Sequence, residues 1–130
     1  MYLFYGNRGR ISKFMKKNDN VAIVVPIYTQ QLNENEIISL NQLEKIFVKN
    51  RIIAVVPFGL YVDMHLFDSI ERFPQDFFIN VESYNRLMLS KDFYKRFQQF
   101  EYILIYQLDA FVFSDQLSYF CSLGYDYIGA

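Results

Sequence analysis

With 130 residues, 52% of them hydrophobic and including 14 Phe and 11 Tyr, the chain is the size of one domain and too apolar to be intrinsically disordered. A single cysteine, Cys121, rules out an intrachain disulfide, and with a single histidine, His65, it rules out a zinc site of the usual Cys/His type. The net charge of −1 hides a split: of 13 basic and 14 acidic side chains, residues 1–20 hold five of the former (Arg8, Arg10, Lys13, Lys16, Lys17) and one of the latter (Asp19). The body that follows is therefore acidic, which argues against a nucleic-acid partner.

Residues 1–20 read as a basic, aromatic-containing arm, either resting on an anionic membrane surface or serving as a solvated lead-in to the first strand. No apolar run reaches the roughly 20 residues that cross a bilayer, and the N-terminus lacks the apolar core and small-residue cleavage site of a secretory signal. With one free cysteine this predicts a cytoplasmic protein, at the inner face of the membrane if the arm docks there.

"VAIVVPIY" (21–28) and "RIIAVVPFG" (51–59) are short, β-branched and nearly continuously apolar, the pattern of parallel strands buried on both faces. Between them Ile37, Leu40, Leu43 and Phe47 recur at three- and four-residue steps, one apolar stripe of a helix. Asn33 caps this helix, with Glu36 three residues on as in a capping box. The unit is strand–helix–strand, whose crossover is almost always right-handed. "LYVDMHLFDSIERFPQ" then reads as a loop with a short helix, and "DFFINV" (76–81) as a third strand. "SYNRLMLSKDFYKRFQQF" is helical in composition, capped by Ser83 and broken near Ser90, which can cap a second short helix. "EYILIYQLDAFVF" is the strongest strand signal in the chain. "SDQLSYFCSLG" reads as a helix stopped by Gly124, and "YDYIGA" as a further extended segment. The alternation predicts one α/β domain with a mainly parallel sheet.

Within "YILIYQLDAFVF" only Gln107 and Asp109 are polar. As strand residues two apart they would face the same side. A carboxylate kept in the core without a partner is costly, whereas the carboxyl ends of parallel strands are where ligands bind in open α/β sheets. Asp109 at such an end could hold magnesium or manganese against a ligand phosphate, or else cap the next helix or pair with an Arg. A receiver-type phosphoacceptor domain also ends an apolar strand in Asp, but it requires an acidic pair after its first strand, and "VVPIYTQQ" has none.

"YILIYQLDAFVFSDQL" with "GYDYIGA", preceded by "VAIVVPIY", "LNENEIISLNQL", "RIIAVVPFGL" and "SYNRLMLSKDFYKRF", resembles an uncharacterised bacterial and fungal family of glycosyltransferase-like domains over residues 21–130. The resemblance implies a Rossmann-like, three-layer α/β/α domain, the donor-binding half of a GT-A type fold. It further implies a nucleotide-diphosphate sugar as ligand, a saccharide or cell-envelope acceptor, and Mn or Mg as the cation. By resemblance Asp109 takes one position of an Asp-x-Asp motif. The partner acid is missing, since Phe111 stands two residues later and Gln107 two residues earlier. Pro26, Ile27 and Tyr28 match the end of the first strand, where similar enzymes cradle the base; Tyr28 could stack on it or be a half-buried aromatic. Gly59 follows Pro57 and Phe58 at the end of the second strand, where many relatives carry an acid that this chain lacks. Asn85 and Arg86 open the helix after the third strand, Arg86 either clamping a phosphate or lying on a solvated face. The family pattern continues beyond this chain into an acceptor half, so residues 21–130 read as a donor domain that ends before it. An apolar face left exposed there would favour self-association. Two functions follow: a glycosyltransferase, or a non-catalytic nucleotide-binding or protein-interaction module. Neither His65 nor Cys121 carries a chemical role in either.

Overall fold

The β-branched runs form the centre of a sheet because each of their residues is covered on one face or the other. The structure, a computed structural model, describes residues 2–5 and 18–129. Its elements are β1 (Tyr2–Tyr5), β2 (Asn18–Pro26), α1 (Glu34–Ile46), β3 (Asn50–Pro57), β4 (Ser69–Phe73), α2 (Val81–Met88), α3 (Lys91–Lys95), β5 (Tyr102–Ile105), α4 (Leu117–Ser122) and β6 (Tyr127–Ile128). Single 3-10 turns occupy Met64–Leu66 and Gln75–Phe78. One six-stranded sheet runs in the order β4-β3-β2-β5-β1-β6. β4, β3, β2 and β5 are parallel, and β1 is antiparallel to both β5 and β6.

Alternation along the strands divides the core in two. Val21, Ile23, Val25 and Ile27 of β2 and its end, with Ile52, Ala54 and Val56 of β3, pack under Leu40, Leu43 and Phe47 of the first helical segment and Leu117 of α4. Ala22, Val24, Ile53, Val55, Ile103 and Ile105 face the other way, against Leu87, Phe93, Phe97 and Phe100. The connections explain this division. β2 to β3 and β3 to β4 step toward one edge, with α1 and the Val62–Phe67 loop on one face. The return from β4 to β5 steps back across the sheet, so a crossover of the same hand must cover the opposite face, as α2 and α3 do. The result is a three-layer α/β/α arrangement around a mainly parallel sheet, as expected.

The capping box of α1 forms as read, Asn33 and Glu36 exchanging side-chain and backbone hydrogen bonds. Of its expected apolar stripe, Ile37 is 47% exposed, and Ser39 is buried in the helix instead. Ser90 caps α3. Gly124, at φ +72°, takes the left-handed conformation that closes α4.

Four expectations are corrected. "DFFINV" is not a strand: its Phe77 and Phe78 lie in the turn Gln75–Phe78 and pack partly buried against the core of the second face. The third parallel strand is "SIERF", inside the stretch read as loop and short helix. As an edge strand paired only with β3, it has no need of a continuous apolar run. The cap of α2 is Asn80, and Ser83 is its reciprocal partner. Last, residues 2–5, placed in the basic arm, form a strand of the sheet, and β2 begins at Asn18. The five basic residues of that arm, with the membrane contact expected of them, lie outside the described residues. Among the described residues no helix is long and apolar enough to cross a membrane.

Candidate functional site

β2 and β5 are neighbours in the sheet, but the connection leaving β2 covers one face and the connection entering β5 covers the other. Such a reversal opens a crevice at the carboxyl ends of the strands. A cleft of about 380 Å³ lies there, lined by residues that follow both strands and by the start of α2.

The sheet holds both strand ends firmly. Ile27 N donates to Val55 O and Tyr106 N to Val24 O, each at 2.8 Å, extending the ladders past the last strand residues. Beyond β2 the chain runs through Tyr28, Thr29 and Leu32 to Glu36, all on the cleft wall. Tyr28 is 64% exposed, an aromatic face available to a planar ligand. Beyond β5 the chain turns at once: Ala110 N donates to Gln107 O at 3.0 Å. Gln107 and Asp109 are therefore turn residues, not same-face residues of a strand, yet both reach the cleft, with buried Leu108 beneath them. Asp109 is exposed. Among the described residues its carboxylate has no hydrogen-bonding or ionic partner.

The facing wall comes from the crossover: Phe78, Ile79, Asn80, Val81 and Tyr84. Asn80 ends this wall in a fixed orientation, since its Oδ1 accepts from Ser83 N at 2.9 Å and its own N–H donates to Ser83 Oγ at 3.1 Å. The N-terminus of α2 thus faces the cleft, and its positive end favours an anionic group there.

Of the residues singled out in the sequence, Pro26, Ile27, Tyr28, Gln107 and Asp109 come together in this cleft, and Gly59, Asn85 and Arg86 do not line it. Gly59 sits at φ +83° in the turn after β3, where Gln75 Nε2 donates to Phe58 O at 2.8 Å; the glycine serves that turn. Arg86 lies two residues after Tyr84, about 200° round the helix, so it projects away from the cleft and is exposed. His65 is exposed outside the cleft. Cys121 is half-buried against the core, and burial, then the nearby Glu101 and Asp115, push its thiol above the ordinary value.

Sequence reading missed Glu36, Tyr84 and the Phe78–Val81 wall. Glu36 was recognised only as half of a capping box, and that bond persists, Asn33 N donating to Glu36 Oε2 at 2.8 Å. The same bond orients a second carboxylate on the cleft lining.

Among the described residues the lining thus carries two carboxylates, two amides, aromatic and aliphatic surface, and no Lys, Arg or His. Among the described residues no three His, Cys, Asp or Glu side chains gather where they could hold a metal. One free carboxylate beside an amide still fits a magnesium-type ion, which commonly takes one or two protein oxygens and completes its shell with phosphate and water. Asp109, with Gln107 next to it in the turn, is that donor set.

A Rossmann-like α/β layer with an acid-bearing cleft at its switch point is the class these features define. Residues 68–130, from just before β4 to the end of the chain, match a family described as "Protein of unknown function (DUF5672)". That segment contains the Asp109 turn and the α2 wall but not β2, α1 or β3. No curated protein and no solved structure matches the chain.

Proposed function

We propose that the cleft binds a nucleotide-diphosphate sugar and that the chain is the donor-binding part of a glycosyltransferase of GT-A type, acting toward a saccharide or cell-envelope hydroxyl. The observation that carries this reading is the unpartnered Asp109 carboxylate at the β2/β5 switch point, in one cleft with exposed Tyr28. Tyr28 offers a stacking face for the base, a contact worth about 1–3 kcal/mol in single-stranded nucleic-acid sites. The α2 N-terminus offers partial positive charge toward the diphosphate. Among the described residues no basic side chain lines the cleft, which favours a cation beside Asp109 to meet a diphosphate. Bound there through Asp109 and Gln107, magnesium or manganese would offset the charge that builds on the leaving diphosphate. The chain's own residues orient the donor: Pro26 and Ile27 fix one edge through the sheet, and Leu108 closes the floor.

A second reading, binding without turnover, is favoured by a different feature. Glu36 is held by Asn33, and among the described residues no His, Cys or Lys lines the cleft to act as a base or nucleophile. Calorimetry with a panel of nucleotide sugars, with and without manganese, tests both. The transferase reading expects manganese-dependent binding that Asp109→Ala abolishes, together with sugar release to water or acceptor. Binding with no turnover selects the module. Binding that Asp109→Ala leaves intact removes Asp109 from the site.

A further inference from the structure

We infer that Tyr106 and Ser39 are positioning residues for Asp109: their hydroxyls converge on the Ala110 carbonyl and set the turn that carries the carboxylate. The ligand-binding consequence rests on the nucleotide-diphosphate reading of the cleft; the clamp itself does not.

Because Asp109 has no side-chain partner among the described residues, only its backbone determines where its carboxylate points. That backbone is pinned on both sides. Before the turn, Tyr106 N is bonded to Val24 O at 2.8 Å in the sheet. After it, Ala110 O accepts from Ser39 Oγ at 2.5 Å and from Tyr106 Oη at 2.9 Å, the two hydroxyl oxygens lying 3.1 Å apart. Further on, Gln42 Nε2 donates to Val112 O at 3.1 Å, so α1 grips the same segment a second time. Ser39 and Tyr106 are almost fully buried. Ala and Phe would occupy these places without a polar atom, and a buried hydroxyl is unfavourable unless bonded. Both hydroxyls are committed to one carbonyl, that of the residue following Asp109. Ser39 shares the buried side of α1 with Leu40 and Leu43, a place that an apolar side chain would fill, so packing alone does not explain the serine.

Tyr106→Phe, Ser39→Ala and the double variant test this against native protein, with Gln42→Ala as a milder second variant. Two measurements are needed. The first is manganese binding in the presence of uridine or guanosine diphosphate, read from loss of the free-ion electron paramagnetic signal. The second is amide exchange at Ala110, compared with Leu104 and Ile105 in β5. Each single variant is expected to weaken manganese–diphosphate binding about three- to tenfold. The double variant should lose less or more than the product of the two, because both groups act on one carbonyl. Exchange at Ala110 should quicken while the β5 amides stay slow. Wild-type affinity in the double variant overturns the positioning role, and so does a loss accompanied by equal loosening of β5. If native protein binds neither diphosphate, the nucleotide reading fails, and exchange at Ala110 alone decides whether the clamp exists.

Discussion

Asp109 and Cys121 are both single ionisable groups in apolar stretches, and their surroundings treat them in opposite ways. Asp109 sits on a turn that leaves the sheet, so its charge keeps its water and costs the fold little. Asp109→Asn retains size and an acceptor oxygen while removing the charge. Stability should change by no more than about 0.5 kcal/mol, while manganese-dependent nucleotide affinity falls at least about tenfold; urea unfolding and calorimetry read the two effects separately. Cys121 is half-buried, and burial followed by the charges of Glu101 and Asp115 raises its thiol above the ordinary value. A folded-state value above the unfolded one leaves this contribution intact below the unfolded thiol's range. It is lost as pH rises through the folded value, so the window is alkaline. Alkylation by iodoacetamide near pH 8 should therefore be slower than in the urea-unfolded chain, the native rate rising only at higher pH; equal rates at pH 8 would show a fully solvated thiol.

Helix starts shape the cleft more than helix bodies do, because Asn80, the cap of α2, and Glu36, the capping-box partner of Asn33 in α1, both line its walls. Asn33→Ala removes the acceptor for Glu36 N, 3.0 Å away, and should cost about 1 kcal/mol of stability. The Asn33 N–H that orients the Glu36 carboxylate survives the substitution, so nucleotide affinity should change less than the melting temperature. Glu36→Gln, which keeps an acceptor oxygen for Asn33 N, should retain most of the stability. These local signals were legible in the sequence because capping is chemistry between residues three apart, and the same holds for Ser90 and Gly124. β4 was not legible. An edge strand has one pairing partner and tolerates half-buried Glu71 and Arg72, which find partners on opposite faces: Arg96 meets Glu71 at 2.9 Å, and Arg72 Nη1 donates to Leu60 O at 2.8 Å. The apolar "DFFINV" imitated the strand that "SIERF" supplies, because residues lying over a sheet are as hydrophobic as residues in one. Of the two places read for Arg86, the solvated face is the one it takes: with the helix capped at Asn80 and not Ser83, Arg86 falls in the last turn of α2 and not the first.

Strand order decides where a cleft opens, and it is a property of the whole chain. The parallel core was readable from β2, β3 and β5, and the switch point follows once the crossover between β4 and β5 returns over the second face. The antiparallel addition could not be read this way, because Tyr2–Tyr5 must travel past β2 to reach β5, and no local pattern reports a partner about a hundred residues away. β1 fills the sheet position between β5 and β6, in register from Tyr2 opposite Ile105 to Tyr5 opposite Tyr102. Without it the fully buried strand β5 would become an edge, its outer row of backbone groups unpaired and open to another chain. Deletion of residues 1–5 removes about four ladder hydrogen bonds at roughly 0.5–1.5 kcal/mol each, a large part of the 5–15 kcal/mol typical of a domain. The truncated protein should melt well below the full chain and sediment as dimers or larger species at concentrations where the full chain does not. β2 and β3 amides should stay slowest to exchange in both proteins, because the parallel core does not depend on β1. A truncated protein with the melting temperature and sedimentation of the full chain would mean that β1 contributes nothing to closing the sheet beside the Asp109 turn.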